Sequence, residues 1–162
     1  MQNTNSPLSL SLNNVDTSMP LLMEDKYPLV IDKAEIVESK SGKGKFLAVT
    51  YKTTEDASSS KGDTISAGFP MIQRYMLPIP GTEFGSSEQA PNYMANLCRF
   101  MLAVANLKDT PENKAKLPEF NEDYCLSIPG TVVLGNVKTS KPKNDNDEYG
   151  DRSEVKSVYP IG

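Results

Sequence analysis

Four lysines, Lys40, Lys43, Lys45 and Lys52, crowd into one short stretch of the chain, and Phe46 stands among them. Ammonium groups spaced along a groove hold phosphates, and an aromatic ring beside them can stack a base, a contact worth ~1–3 kcal/mol. Arg74 lies further along, and a second group, Lys138, Lys141, Lys143 and Tyr149, lies near the C-terminus. Together these residue types suit an extended polyanion with exposed bases. Each also has a plainer reading: the lysines as a solvated hairpin tip, and Phe46 as a buried core ring.

Other chemistries find less support. The chain has no histidine, so acid–base catalysis would fall to carboxylates, lysine or tyrosine, and no paired-carboxylate motif stands out. Cys98 and Cys125 have no partners at metal-ligand spacing and read as small buried hydrophobes in a reducing compartment, not as a disulfide, zinc or nucleophile framework. Gly44-Lys45 is not a phosphate-binding loop, because that pattern needs glycine at Ser39 and a hydroxyl residue at Phe46. Asp145-Asn146-Asp147 with Gly150 resembles the start of a calcium loop, but Lys156 occupies the position of the closing glutamate. No enzyme, metal or cofactor is expected.

The elements that must position the lysines begin with Tyr27–Thr54, read as strands Pro28–Ser39 and Lys45–Thr54 around a turn where Gly42 and Gly44 can take positive φ. The inward pattern of the first strand changes phase midway, as at a bulge, whereas Leu47, Val49 and Tyr51 alternate cleanly with Phe46, Ala48, Thr50 and Lys52. Glu55–Asp63 reads as a serine-rich loop, and a third strand spans Thr64–Leu77, on an edge or broken at Pro70. Pro78–Gln89 is a connection leading into a helix, Pro91–Leu107, whose apolar stripe is Tyr93, Met94, Leu97, Met101, Val104 and Ala105. Lys108–Asp123 reads as a loop, Tyr124–Ile128 as a short strand, Thr131–Ser140 as a strand with Gly135 closely approached, and Glu154–Tyr159 as the last strand.

That order predicts a mainly β fold: a five-stranded Greek-key barrel like the oligonucleotide/oligosaccharide-binding (OB) fold, with one helix between strands three and four and long loops. In OB folds ligand crosses strands two and three, flanked by the loops joining strands one to two and four to five. Both loops here carry lysine. The expected organisation is a polar arm over 1–26 and a barrel domain over 27–162, a size at which a core forms without staples. The arm, with leucines at 8, 10 and 12, reads as a disordered tail or as a segment docking on a second copy. No apolar run approaches the ~18 residues of a membrane span, and the N-terminus lacks a signal peptide's charged and apolar regions, so a soluble, cytoplasmic protein is expected.

The segments AEIVESKSGKGKFLAVTYKTTE, YMANLCRFMLAVANL, IPGTVVLGNVKT and EVKSVYP resemble a phage family of single-stranded DNA-binding proteins encoded in replication and recombination cassettes. The likeness runs from Tyr27 to Pro160, most tellingly in AEI-x-ESKSGKGKFL and EVK-x-x-YP. It implies an OB barrel and sequence-independent binding of single-stranded DNA, in the host bacterial cytoplasm, beside replication or recombination proteins. The polar arm, the Pro78–Gln89 insertion and the ending YPIG depart from the family pattern, and the last puts recruitment of partners through an acidic tail in doubt. The expected contacts are Lys40, Lys43, Lys45, Lys52, Arg74, Lys138, Lys141 and Lys143 for phosphates, with Phe46 and Tyr149 for stacking. The net charge of −4 favours the alternative, a structural or protein-interaction module that assembles through its arm and loops without nucleic acid.

Overall fold

The computed structural model describes residues 9–14, 20–141 and 151–162. Seven strands and three helices follow in the order β1 (Asp25–Glu38), β2 (Lys45–Thr53), β3 (Ala57–Ser58), β4 (Thr64–Ile65), β5 (Pro70–Met76), α1 (Ala90–Val104), α2 (Pro111–Lys114), α3 (Glu122–Ser127), β6 (Val132–Ser140) and β7 (Arg152–Tyr159). Five strands form one antiparallel sheet in the order β5-β2-β1-β6-β7, while β3 and β4 pair as a small separate hairpin. The chain climbs through β1, β2 and β5 and then returns to lay β6 beside β1, a Greek-key connection.

Period-two patterning drives this sheet. In β2, Leu47, Val49, Tyr51 and Thr53 are buried while the residues between them are half-exposed, and in β5 Met71, Gln73 and Tyr75 are buried while Pro70, Ile72, Arg74 and Met76 are exposed. In β1, buried Leu29 and Ile31 are followed by buried Ala34, so the inward side slips by one residue. The pairing with β2 jumps there between Ile31 and Lys33, leaving Asp32 as the bulged residue. The expected phase change therefore has a backbone cause.

The hairpin tip uses its two glycines differently. Gly42 takes φ +72°, a conformation costly for a residue with a Cβ. Gly44 does not adopt positive φ; it is needed for space, since a Cβ there would come within 2.9 Å of the Phe84 ring. The tip is thereby pinned to the Pro78–Gln89 connection, where the Glu83 amide donates to the Lys43 carbonyl at 2.8 Å. Gly135 is likewise small because Leu29 packs directly over it.

α1 covers one end of the sheet and packs on both β5 and β7. Its buried side is Leu97, Phe100, Met101, Leu102 and Ala103, with Phe100 fully buried against Tyr75 at a ring separation of 5.0 Å. The expected stripe is rotated: Met94 is 56% exposed and Ala105 is exposed, while Phe100 carries the packing.

Several expectations require correction. The sheet is not closed into a barrel, because β5 and β7 remain its two edges. The long helix follows the fifth strand, not the third, since β3 and β4 intervene, and it is one of three helices. Thr64–Leu77 is not one strand; Gly68, at φ +94°, and Pro70 interrupt it. Tyr124–Ile128 is not a strand but most of α3, started by Asn121, whose side chain accepts from the Tyr124 amide at 2.9 Å. Leu22, assigned to the arm, is a core residue at 1% exposure: it bridges to Ser59 of the β3–β4 hairpin, and its amide donates to Ser153 Oγ in β7. No helix among the described residues is long and apolar enough to cross a membrane.

Candidate functional site

The outer face of β2, β1 and β5 is laid out in rows by the pairing register: Val37–Phe46–Met76, Glu35–Ala48–Arg74, Lys33–Thr50–Ile72 and Val30–Lys52–Pro70. Phe46 is half-exposed on this face and is no core ring. The Arg74 guanidinium lies 5.6 Å from the centre of its ring, a cation–π contact that holds the charge beside the platform. Ile72 and Met76, 50% and 38% exposed, extend the platform along the edge strand. Lys52 shares the face but is held 3.6 Å from Asp32, and Lys33 pairs with Glu35 at 3.3 Å. The bulge that exposes Asp32 thus partly commits Lys52.

The remaining lysines fall elsewhere. Lys40 and Lys43 are exposed on the hairpin turn, and Lys45, which opens β2, sits in the inward register of Leu47 but is exposed at the sheet's end. None of the three has a carboxylate partner among the described residues, so their charges are available to an anion. Lys138 is exposed opposite Glu154, and Lys141 follows the end of β6. Val137 pairs with Asp25 and Lys45 with Glu38, so the two lysine groups lie at opposite ends of β1. The fourteen residues of that strand, at ~3.3 Å each, put roughly 40 Å of strand path between them. The structure brings Phe46, Lys52 and Arg74 together and leaves the tip and the β6–β7 end as separate flanks. Lys143 and Tyr149 lie outside the described residues.

Arg74 and Met76 also border a second feature, a cleft of about 510 Å³ at the open seam between β5 and β7. β5 gives it Gln73 and Tyr75, α1 gives Tyr93, Asn96 and Arg99, and β7 gives Lys156 and Tyr159. Arg99 has no carboxylate partner among the described residues; its Nη1 donates to Asn96 Oδ1 at 3.0 Å, which steadies the guanidinium along the helix. Lys156 is the extra residue of a bulge in β7 and donates to Glu154 Oε2, whose other oxygen takes Arg152. Partial burial would push the Glu154 carboxyl up, but the hydrogen bonds and charges of Lys156 and Arg152 outweigh it and hold it below the usual carboxylate range.

Beneath the cleft lies a buried polar group. The Tyr51 and Tyr75 hydroxyls both donate to Gln73 Oε1 at 2.8 Å. Burial pushes both hydroxyls well above the usual tyrosine range, so they stay protonated. Gln73 is 9% exposed, and its Nε2 has no acceptor among the described residues.

Sequence reasoning missed Met76, Tyr93, Arg99, Lys156 and Tyr159 as site residues. The helical spacing of Asn96 and Arg99 at three-residue steps from Tyr93, the first residue of the expected stripe, was the available signal. No family model matches this chain, and comparison with curated proteins finds no match.

Proposed function

We propose that this protein is a non-catalytic module that binds single-stranded DNA with little sequence preference, in phage-type replication or recombination. The observation that carries this reading is the outer face of β2 and β5, where a half-exposed Phe46 lies under the Arg74 guanidinium, with Met76 and Ile72 beside it and Lys40, Lys43 and Lys45, without carboxylate partners among the described residues, at the hairpin tip. A ring offers a surface to any base, and cations follow any phosphate backbone, so such a face binds without reading sequence. The strand order β5-β2-β1-β6-β7 supports an OB-like barrel left open at one seam, in which this face is where ligand crosses. Leu10 and Leu12, 78% and 70% exposed, favour a second reading in which the N-terminal arm docks on a protein partner or a second copy.

A labelled strand of ~30 nucleotides, titrated beside its duplex over a salt series, tests the first reading, since each phosphate contact on a single strand contributes about −0.7 to the slope of log affinity against log salt. Tight, strand-selective, salt-sensitive binding is expected. The double variant Lys43→Glu, Lys45→Glu should lower the slope by about 1.4 and weaken binding at least tenfold at low salt. Absence of binding at low salt would overturn the reading and turn attention to the arm.

A further inference from the structure

We infer that the cleft at the β5–β7 seam is a nucleotide site, taking one unstacked base on its aromatic walls and that nucleotide's phosphate on Arg74 and Arg99. It deepens the single-strand reading by extending the path off the outer face, and it can be tested apart from that reading.

The cleft has the size of a small-ligand pocket, commonly ~300–1,000 Å³, and its walls carry the complementary chemistry. Tyr93 from α1 and Tyr159 from β7 line it; Tyr93 meets Phe84 edge-on at 5.9 Å, and Tyr159, 40% exposed, carries the Lys26 ammonium 4.8 Å from the centre of its ring, so a base would stack on the opposite face. Arg74 and Arg99 are guanidiniums without carboxylate partners among the described residues, and guanidinium forks match phosphate oxygens. Asp109, the one carboxylate lining the cleft among the described residues, is paired with Lys114 at 3.1 Å.

Gln73 supplies an independent observation. A buried amide with one end unpaired carries a desolvation cost, so buried polar groups in folded proteins nearly always have a partner. One end of Gln73 accepts from both tyrosine hydroxyls and the other has no partner among the described residues, while the residue lines the cleft. A hydroxyl can donate or accept, so the amide can stand either way round and offer the cleft an acceptor or a donor. Every base edge carries one or the other. The site therefore meets any base and selects none.

Arg74 joins the two surfaces. It stands over Phe46 on the outer face and borders the cleft on the other side, so a strand stacked on Phe46 passes Arg74 and can place its next nucleotide in the seam.

The test uses the full chain labelled for NMR, titrated with thymidine 5′-monophosphate, with thymidine, and with a short oligothymidylate. The nucleotide is expected to shift the Gln73 side-chain amide and the Arg99 and Tyr159 signals, with thymidine weaker. Arg99→Ala, at an exposed position, should weaken nucleotide binding about tenfold, and Lys116→Ala, exposed and away from the cleft, should leave it unchanged. If only the oligonucleotide shifts these signals, the occupant is a residue of a bound strand; if the mononucleotide does so too, the cleft also takes free nucleotide. Both outcomes support the inference. Oligonucleotide binding that is lost in Phe46→Ala but never moves the cleft signals would overturn it while leaving the single-strand reading intact. Mononucleotide binding in the cleft without oligonucleotide binding would do the reverse.

Discussion

The outer face of β2 and β5 and the cleft at the β5–β7 seam share Arg74 and Met76, yet they are built in opposite ways. The face comes from neighbouring strands whose alternating residues fix what points out, so each row is set by a local register. The cleft needs β5, α1 and β7 to converge from distant parts of the chain. A surface made by pairing survives most single substitutions, whereas one made by converging elements depends on the few side chains that hold them.

The sharpest way to break that comparison is Phe100→Ala. Phe100 is fully buried and seats α1 against Tyr75, so its truncation should cost about 3–5 kcal/mol in chemical denaturation. In whatever fraction remains folded, nucleotide binding at the seam should suffer more than strand binding on the outer face. Equal losses would mean that the two surfaces are not separable.

Alkaline pH probes the layer beneath both. The folded-state values of Tyr51 and Tyr75 are raised, so their contribution to stability is whole below the unfolded value of 10.0 and is lost as pH rises through the folded values. Stability should fall by about 1.4 kcal/mol per pH unit for each of these tyrosines above pH 10. Tyr124, pushed up to about 12 mainly by burial, adds to the same fall. Tyrosinate absorbance at these positions should appear together with unfolding and not before it.

How much the sequence revealed follows the same division. The inward and outward residues of β2, the bulge in β1 and the close approach at Gly135 were legible because period two and small residues are local signals. The open seam was not, since nothing in either strand says whether β5 will reach β7. Tyr124–Ile128 misled because a short apolar run fits strand and buried helix equally, and the deciding feature is the Asn121 cap outside it. α1 was placed well but rotated, because its methionines carried the apparent stripe while Phe100 carried the packing. Leu22 escaped because its partners, Ser59 and Ser153, are distant in sequence.

Phe46→Ala sharpens the comparison from the other side. Its ring is half-exposed, and its contact with Arg74 is worth ~0.5–1 kcal/mol at such sites, so unfolding should change little. Strand affinity measured by anisotropy should fall by ~1–3 kcal/mol. Loss of stability without loss of affinity would return Phe46 to a structural role.

The smallest effect ties the cleft to pH through Glu154. Because its folded value is depressed, the favourable contribution of its links to Lys156 and Arg152 is whole above the unfolded value near 4.5 and is lost as pH falls through the folded value. Over that window Lys156 also loses the carboxylate that offsets its charge at the cleft wall. Glu154→Gln makes the same change at neutral pH, so it should slightly lower stability while modestly strengthening oligothymidylate binding. Both differences from the unaltered protein should shrink toward zero on acidification, because Glu154 then becomes neutral as well. Thymidylate phosphodiesters and bases do not titrate in this range, so a difference that persisted at low pH would place Lys156 off the nucleotide's path and leave Arg74 and Arg99 as the cations that matter.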